Sequence, residues 1–158
     1  MNSFPCQHNS LQSAQLIRWT KGLNAPGAIG KDFGQELQIA LENENLPHKV
    51  VSLINDTVAC LFTGLSEDHN TRIGLIIGTG FNLAFLRSSD MDVFESESPP
   101  DQSVVINSEL GNLGEDGELT NYVTEYDLAV SNGSHATHKG QQVFEKMLTG
   151  CYLPELFR

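Results

Sequence analysis

Basic residues are scarce in this chain. Nine lysines and arginines stand against twenty aspartates and glutamates, a formal charge of −11 over 158 residues. Such a surface repels nucleic-acid phosphates and anionic membrane, so neither is expected as a partner. Any nucleotide would have to be held by local backbone N–H groups, Mg²⁺ and a few placed cations, not by a global field. Long apolar runs are missing too. No stretch approaches the ~18–20 apolar residues that span a bilayer. The opening Met1-Asn2-Ser3-Phe4-Pro5-Cys6-Gln7-His8 has neither the basic nor the apolar part of a signal peptide. Cysteines number three, Cys6, Cys60 and Cys151, with no C-x-x-C spacing. That set points to a reducing compartment, and a soluble, cytoplasmic protein is expected. Cys60 sits in the apolar run Val58 to Phe62 and is expected to be buried.

What is present is ordinary for a globular domain: 39% hydrophobic and 18% charged residues, enough to build a core. Ala14 to Thr20 reads as a strand, and Asn24-Ala25-Pro26-Gly27 as a turn. Phe33, Leu37, Ala40 and Leu41 mark an amphipathic helix over 32–44. Val50 to Ile54 is apolar on both faces, the pattern of a strand covered on both sides. Asn55-Asp56-Thr57 closes it and opens a helix to about Leu65. Leu75-Ile76-Ile77 and Leu83 to Leu86 form a hairpin through Gly78-Thr79-Gly80, and Val104 to Asn107 is a further strand. The acidic stretch Asp90 to Asp101 reads as a solvated loop. Helices are expected at about 119–131, with Tyr122, Tyr126, Ala129 and Val130 on one face, and at 140–149. The fold class is α/β, a mixed sheet with flanking helices.

Several motifs fail on inspection. Gly27-Ala28-Ile29-Gly30-Lys31-Asp32 lacks both the first glycine and the hydroxyl residue of a phosphate loop. Gly78-Thr79-Gly80 lacks the third glycine of a dinucleotide fingerprint. His135-x-x-His138 has no further ligand near it, so a mobile loop is the better reading and no metal site is expected.

What remains is a set of polar residues at the ends of apolar elements: Thr20, Lys21, Asn55, Asp56, Asn82, Glu109 and Glu145. Ligands of α/β sheets bind outside strand ends, where loops present side chains on a rigid base. Taken singly, Thr20, Lys21, Asn82 and Glu109 also fit ordinary loop chemistry. Asn, Asp and Glu suit a polyol, because each hydroxyl both donates and accepts. Asp56 at a helix N-terminus would be held ionised, as a phosphoryl-transfer base must be, although spacing alone favours a plain N-cap. Val143, Phe144, Met147 and Leu148 read as the core stripe of the last helix. Gln142 and Glu145 then share the opposite face, which meets either a cleft or bulk water.

These motifs, in order, resemble the hexokinase family over nearly the whole chain. Ser3-Phe4-Pro5 resembles its sugar loop, Trp19-Thr20-Lys21-Gly22 its Trp-Thr-Lys-Gly, and Asn55-Asp56-Thr57-Val58 its Asn-Asp-Thr-Val. Ile76 to Asn82 is similar to the second phosphate motif of the actin-like ATPase (ribonuclease H-like) fold, and Phe144-Glu145-Lys146-Met147 to a later helix. The resemblance implies an incomplete copy of that fold, with 1–70 ending the small lobe and 71–158 starting the large one. It implies transfer of the γ-phosphate of Mg-ATP to the 6-hydroxyl of glucose or a related hexose. Ser3, Phe4, Thr20, Lys21, Asn55, Asp56, Asn82, Glu109, Gln142 and Glu145 would line the sugar site. Asp56 would be the base, Lys21 would balance charge, and Gly78, Thr79 and Gly80 would meet ATP phosphate. The chain departs from the family at Leu110, where a tryptophan is usual, at Leu23 (phenylalanine) and at Pro154 (glycine). It also carries neither the first phosphate motif nor the adenosine segment, so the remainder of the kinase unit is the expected partner. The chain alone is expected to be inactive. A non-catalytic hexose-binding or regulatory paralogue is the alternative. A non-sugar ATPase of the same fold would leave Thr20-Lys21 and Asn55-Asp56 unexplained.

Overall fold

The computed structural model describes residues 3–21, 23–88, 103–133 and 138–157. It divides into two compact units, Met1–Asp56 and Thr57–Arg158.

The first unit opens with an unexpected strand. β1 (Cys6–Ser10) pairs antiparallel with β2 (Ser13–Leu16), Cys6 opposite Leu16, with an irregularity between His8 and Ser10. β1 is mostly polar and exposed, so no hydrophobic alternation announced it. β2 is shorter than the expected 14–20. It buries Ala14 and Leu16 and exposes Gln15, the alternation of a strand with one covered face. The pairing with β1 ends where Ile17 N–H donates to the Pro5 carbonyl at 3.0 Å, and on the other edge of β2 Gly30 N–H donates to the Leu16 carbonyl and Leu16 N–H to that of Lys31. Pro26–Ala28 makes one 3₁₀ turn. Helix α1 (Phe33–Asn43) follows closely where its periodicity put it, because Asp32 caps it. The Asp32 carboxylate accepts from Gly34 N–H at 2.8 Å and Gln35 N–H at 3.2 Å, and from the Ser13 hydroxyl.

Residues 50–54 are a correction. They form no strand, and Val51 is 69% exposed. Leu53 N–H reaches the Leu11 carbonyl at 2.6 Å, and Val50 N–H the Gln38 side chain at 2.9 Å. Apolar character on both faces is not enough for a strand, which needs a neighbouring ladder for its backbone groups.

In the second unit, helix α2 (Asp56–Glu67) presses Thr57 and Leu61 onto strand β3 (Ile73–Ile77). The contact passes through Gly74, where a Cβ would stand 2.6 Å from Leu61 N and 2.7 Å from the Thr57 carbonyl. Only a residue without a side chain allows this approach. Cys60 of α2 is exposed, not buried as expected. β3 turns through 78–80 into β4 (Phe81–Ser88), Ile77 opposite Phe81. β4 pairs in turn with β5 (Ser103–Asn107), Ala84 opposite Asn107. The sheet order is β3-β4-β5 with antiparallel pairing, as the expected hairpin and third strand require. The acidic segment 90–101 lies outside the described residues.

The expected helix over 119–131 begins later, as α3 (Glu125–Asn132). Thr124 and Asp127 form a reciprocal capping box, the Thr124 N–H donating to the Asp127 carboxylate and the Asp127 N–H to the Thr124 hydroxyl. Tyr122 therefore lies outside the helix at 72% exposure, Tyr126 is also exposed, and the proposed apolar face does not exist. α4 (Val143–Leu148) and a one-turn α5 (Leu153–Leu156) complete the unit. Among the described residues, no helix is long and apolar enough to cross a membrane.

Candidate functional site

Within the first unit, the loop after β2 folds its charged end back on the start of the chain. Lys21 adopts a left-handed backbone, φ 58°. Its ammonium donates to the Ser3 carbonyl at 2.8 Å and lies 5.5 Å from the centre of the Phe4 ring, a cation held over an aromatic face. Phe4 meets Trp19 edge-on at 4.8 Å, and the Trp19 indole donates to the Ala25 carbonyl at 2.8 Å. Thr20 between them is buried. Ser3, Phe4, Thr20 and Lys21, separate in sequence, thus form one cluster. Asn55 and Asp56 occupy another stretch, Asn55 buried and Asp56 the first residue of α2. Asp56 therefore sits one place past the cap position, in the turn where the helix dipole favours a carboxylate.

In the second unit the polar residues gather at the ends of β4 and β5. The Asn82 amide donates to the Asn107 side-chain oxygen at 2.7 Å, and the Asn107 amide donates to Glu109 Oε1 at 2.8 Å. Glu109 is itself left-handed, φ 48°, which ends the strand and swings its carboxylate toward Asn107. α4 supplies the rest, and here the expected helix face was wrong. Glu145 and Lys146 are 3% and 2% exposed, whereas Val143, Phe144, Met147 and Leu148 are only half-buried. The reason is polar bonding. Glu145 Oε2 accepts from Phe81 N–H at 2.9 Å, and the Lys146 ammonium donates to the His138 carbonyl at 2.9 Å. Gln142 is buried with φ 52°, outside α4 proper, and its N–H donates to Glu115 Oε1 at 2.7 Å. Burial holds the Lys146 amine below its usual range, against the opposing pull of the Glu115 and Glu145 carboxylates. Burial first, then Cys151 and Glu145, pushes Tyr152 up to about 12.

Asn107, Glu115 and Lys146 escaped the sequence reading. Asn107 carried a usable signal: it stands two places before Glu109, on the same side of a strand. Glu115 and Lys146 gave none, because charged residues in a loop and a helix are ordinarily solvated.

The turn Gly78-Thr79-Gly80 is closed by Gly78 N–H donating to the Gly80 carbonyl at 2.9 Å, and Gly150 N–H holds the Gly78 carbonyl at 2.8 Å. Thr79 is exposed, and nothing lies within 4 Å of where a Cβ on Gly78 would stand. That open side and hydroxyl fit one phosphate group of a nucleotide. Among the described residues no three His, Cys, Asp or Glu side chains gather as metal ligands. His135 lies outside the described residues, and His138 is exposed.

Two family models, both described as hexokinase, match this chain, one over residues 1–65 and the other over 72–158. The hexokinase of Schistosoma mansoni is 41% identical over 99% of the chain and 34% of its own length. Hexokinase-7 of Oryza sativa subsp. japonica is 40% identical over 99% of the chain and 33% of its own length. The chain thus spans about a third of the length of these curated relatives. The structure of the Schistosoma mansoni hexokinase complexed with glucose superposes with a TM-score of 0.88 at 41% identity, over 98% of this chain and 34% of that one. The fold is accordingly a portion of the mixed α/β, actin-like ATPase fold, its small antiparallel sheets and helices being pieces of that architecture. With family models matching both of its halves and that likeness running from end to end, the chain belongs to the hexokinase family.

Proposed function

We propose that this chain is the sugar-binding portion of an ATP-dependent hexokinase, which transfers the ATP γ-phosphate to the 6-hydroxyl of glucose or a related hexose. The observation that carries the reading is the glucose-complexed relative, whose fold this chain follows over 98% of its length. In this reading residues 1–70 end a small lobe and 71–158 begin a large one. Asn55, Asn82, Glu109, Gln142 and Glu145 offer the alternating donors and acceptors that a ring of hydroxyls needs. In the first unit Ser3, Phe4 and Thr20 offer further sugar contacts, and Lys21 holds sugar and offsets charge developing in transfer. Asp56, at the head of α2, takes the proton from the attacking hydroxyl. ATP supplies the phosphoryl group, with Gly78, Thr79 and Gly80 contacting its phosphates, and the cytoplasm is the setting.

The test is calorimetry of the 158-residue chain with glucose, beside a coupled assay for glucose-dependent ATP consumption. Glucose binding lost in Asp56→Ala, without turnover by the chain alone, is the expected result. Robust turnover by the chain alone refutes its incompleteness, and absence of glucose binding refutes the sugar site.

A further inference from the structure

Two of the proposed sugar ligands are joined through a third side chain that the hexose reading did not use. Asn107 ends β5 opposite Ala84, and continuing that register by two residues sets Glu109 opposite Asn82. The backbone keeps this alignment one step past the strand, with Ser108 N–H donating to the Leu83 carbonyl at 3.0 Å. Asn82, Asn107 and Glu109 are therefore held on one sheet end, with bonds of 2.7 and 2.8 Å between neighbours.

The chemistry at the two ends fixes the direction of this chain. Leu83 N–H donates to Asn82 Oδ1 at 2.7 Å, and a backbone N–H can only donate. Asn82 must therefore turn its amide nitrogen toward Asn107. At the other end an ionised carboxylate only accepts, so Asn107 must turn its nitrogen toward Glu109. Both ends demand the same orientation of both amides. The Asn82 amide has a second N–H for a ligand, and Glu109 has only acceptor oxygens.

Resting on the hexose reading above, we propose that Asn107 is a positioning residue that holds the donor Asn82 and the acceptor Glu109 in place toward the sugar, so that the hydroxyl meeting Glu109 must donate. Asn107 acts through these two residues and needs no contact with the sugar. A fluorine at that hydroxyl's position accepts but cannot donate, so a deoxyfluoro sugar fails there.

Two near-isosteric variants separate this role from simple packing. Asn107→Leu removes both bonds. Asn107→Asp keeps the acceptor for Asn82 but sets a second carboxylate against Glu109. The other charged groups from the packed helix are Glu145 and Lys146 of α4, unchanged in both variants. Glucose affinity is measured on the 158-residue chain at about pH 7.5 and about pH 5, where two facing carboxylates share one proton. Asn107→Leu is expected to lose about tenfold or more at both values, about 1.4 kcal/mol. Asn107→Asp is expected to lose as much at the higher pH and to recover most of it at the lower. An Asn107→Asp affinity that stays at the wild-type level at both values, or falls equally at both, overturns the proposal. Hydrogen exchange of the Asn82 side-chain amide decides independently of any sugar: protection in the wild type and in Asn107→Asp, lost in Asn107→Leu, is expected. Lack of protection in the wild type refutes the relay, whereas protection without glucose binding in the wild type sinks the sugar site and the relay's role toward it together.

Discussion

Helices α1 and α4 obey opposite rules. α1 begins at a capping aspartate, buries only Gly34, and leaves Leu37, Ile39 and Ala40 of its apolar residues in water along with most of its polar side chains. α4 turns a glutamate and a lysine inward and leaves its phenylalanine and methionine half-exposed. Burying a charge costs free energy unless hydrogen bonds replace the lost water. In α4 they do: Phe81 N–H bonds Glu145, and the His138 carbonyl bonds Lys146. Burial of this kind fixes side chains in direction, which recognition of a polyol requires and an ordinary core helix does not. On the proposed reading, α4 serves placement and α1 does not.

The sharpest way to break the contrast is at Gly111. A Cβ there would lie 3.0 Å from the Phe81 carbonyl and 3.2 Å from Glu145 Cβ, and neither backbone nor a buried Cβ yields easily. Gly111→Ala should push α4 off the strand end, costing about 1–3 kcal/mol by overpacking and abolishing measurable glucose binding. Denaturant titration with calorimetry reads both. Glu145→Ala comes next. It leaves Phe81 N–H without its carboxylate, at a cost of about 1–3 kcal/mol, and removes a proposed sugar ligand. Glu145→Gln still offers an acceptor and should recover most of the stability but less of the affinity. A variant with wild-type stability and binding would return Glu145 to the class of ordinary helix charges.

How much of this was legible follows the same division. α1, the β3–β4 hairpin and β5 were readable because local rules decide them: a helical spacing of apolar residues, a glycine turn, a short apolar run. Residues 50–54 were misread because a strand depends on neighbours its own sequence cannot specify. The inward face of α4 was misread because Glu145 and Lys146 are bonded by Phe81 and His138, distant in sequence or on a loop without pattern. Asn107 was missed as a strand-end amide with no distinctive neighbours. The motif order resembling hexokinases named the family, whereas the hydrogen bonds that orient the site came from tertiary structure alone.

Lys146 gives a smaller, pH-dependent effect. Its folded amine is held below the ordinary 10.5 chiefly by burial, so between that lowered value and 10.5 the unfolded chain binds more protons. Stability from this group must therefore rise with pH across that window. Lys146→Met should flatten the rise in alkaline denaturant titrations. It should weaken glucose binding only through the loop carrying His138 and Gln142. An unchanged alkaline slope would mean that Lys146 is hydrated in solution.

The smallest effect belongs to α1. Asp32→Ala removes the cap and should cost about 0.5–2 kcal/mol while leaving glucose affinity unaltered, since Asp32 is no part of the proposed site. The Asp32 carboxyl is held below its ordinary 3.8, first by the Ser13 hydroxyl and then by Gln35, Gly34 and Ala14 N–H groups, against a smaller opposing effect of burial. A lowered carboxyl contributes stability that is present above 3.8 and is lost as pH falls through the folded value. Asp32→Asn keeps a capping oxygen but cannot titrate, so it should hold most of the stability near neutrality and flatten the acid limb. If Asp32→Asn lost affinity for glucose as strongly as Glu145→Ala, placement would not be confined to α4, and the division of labour between the helices would fail.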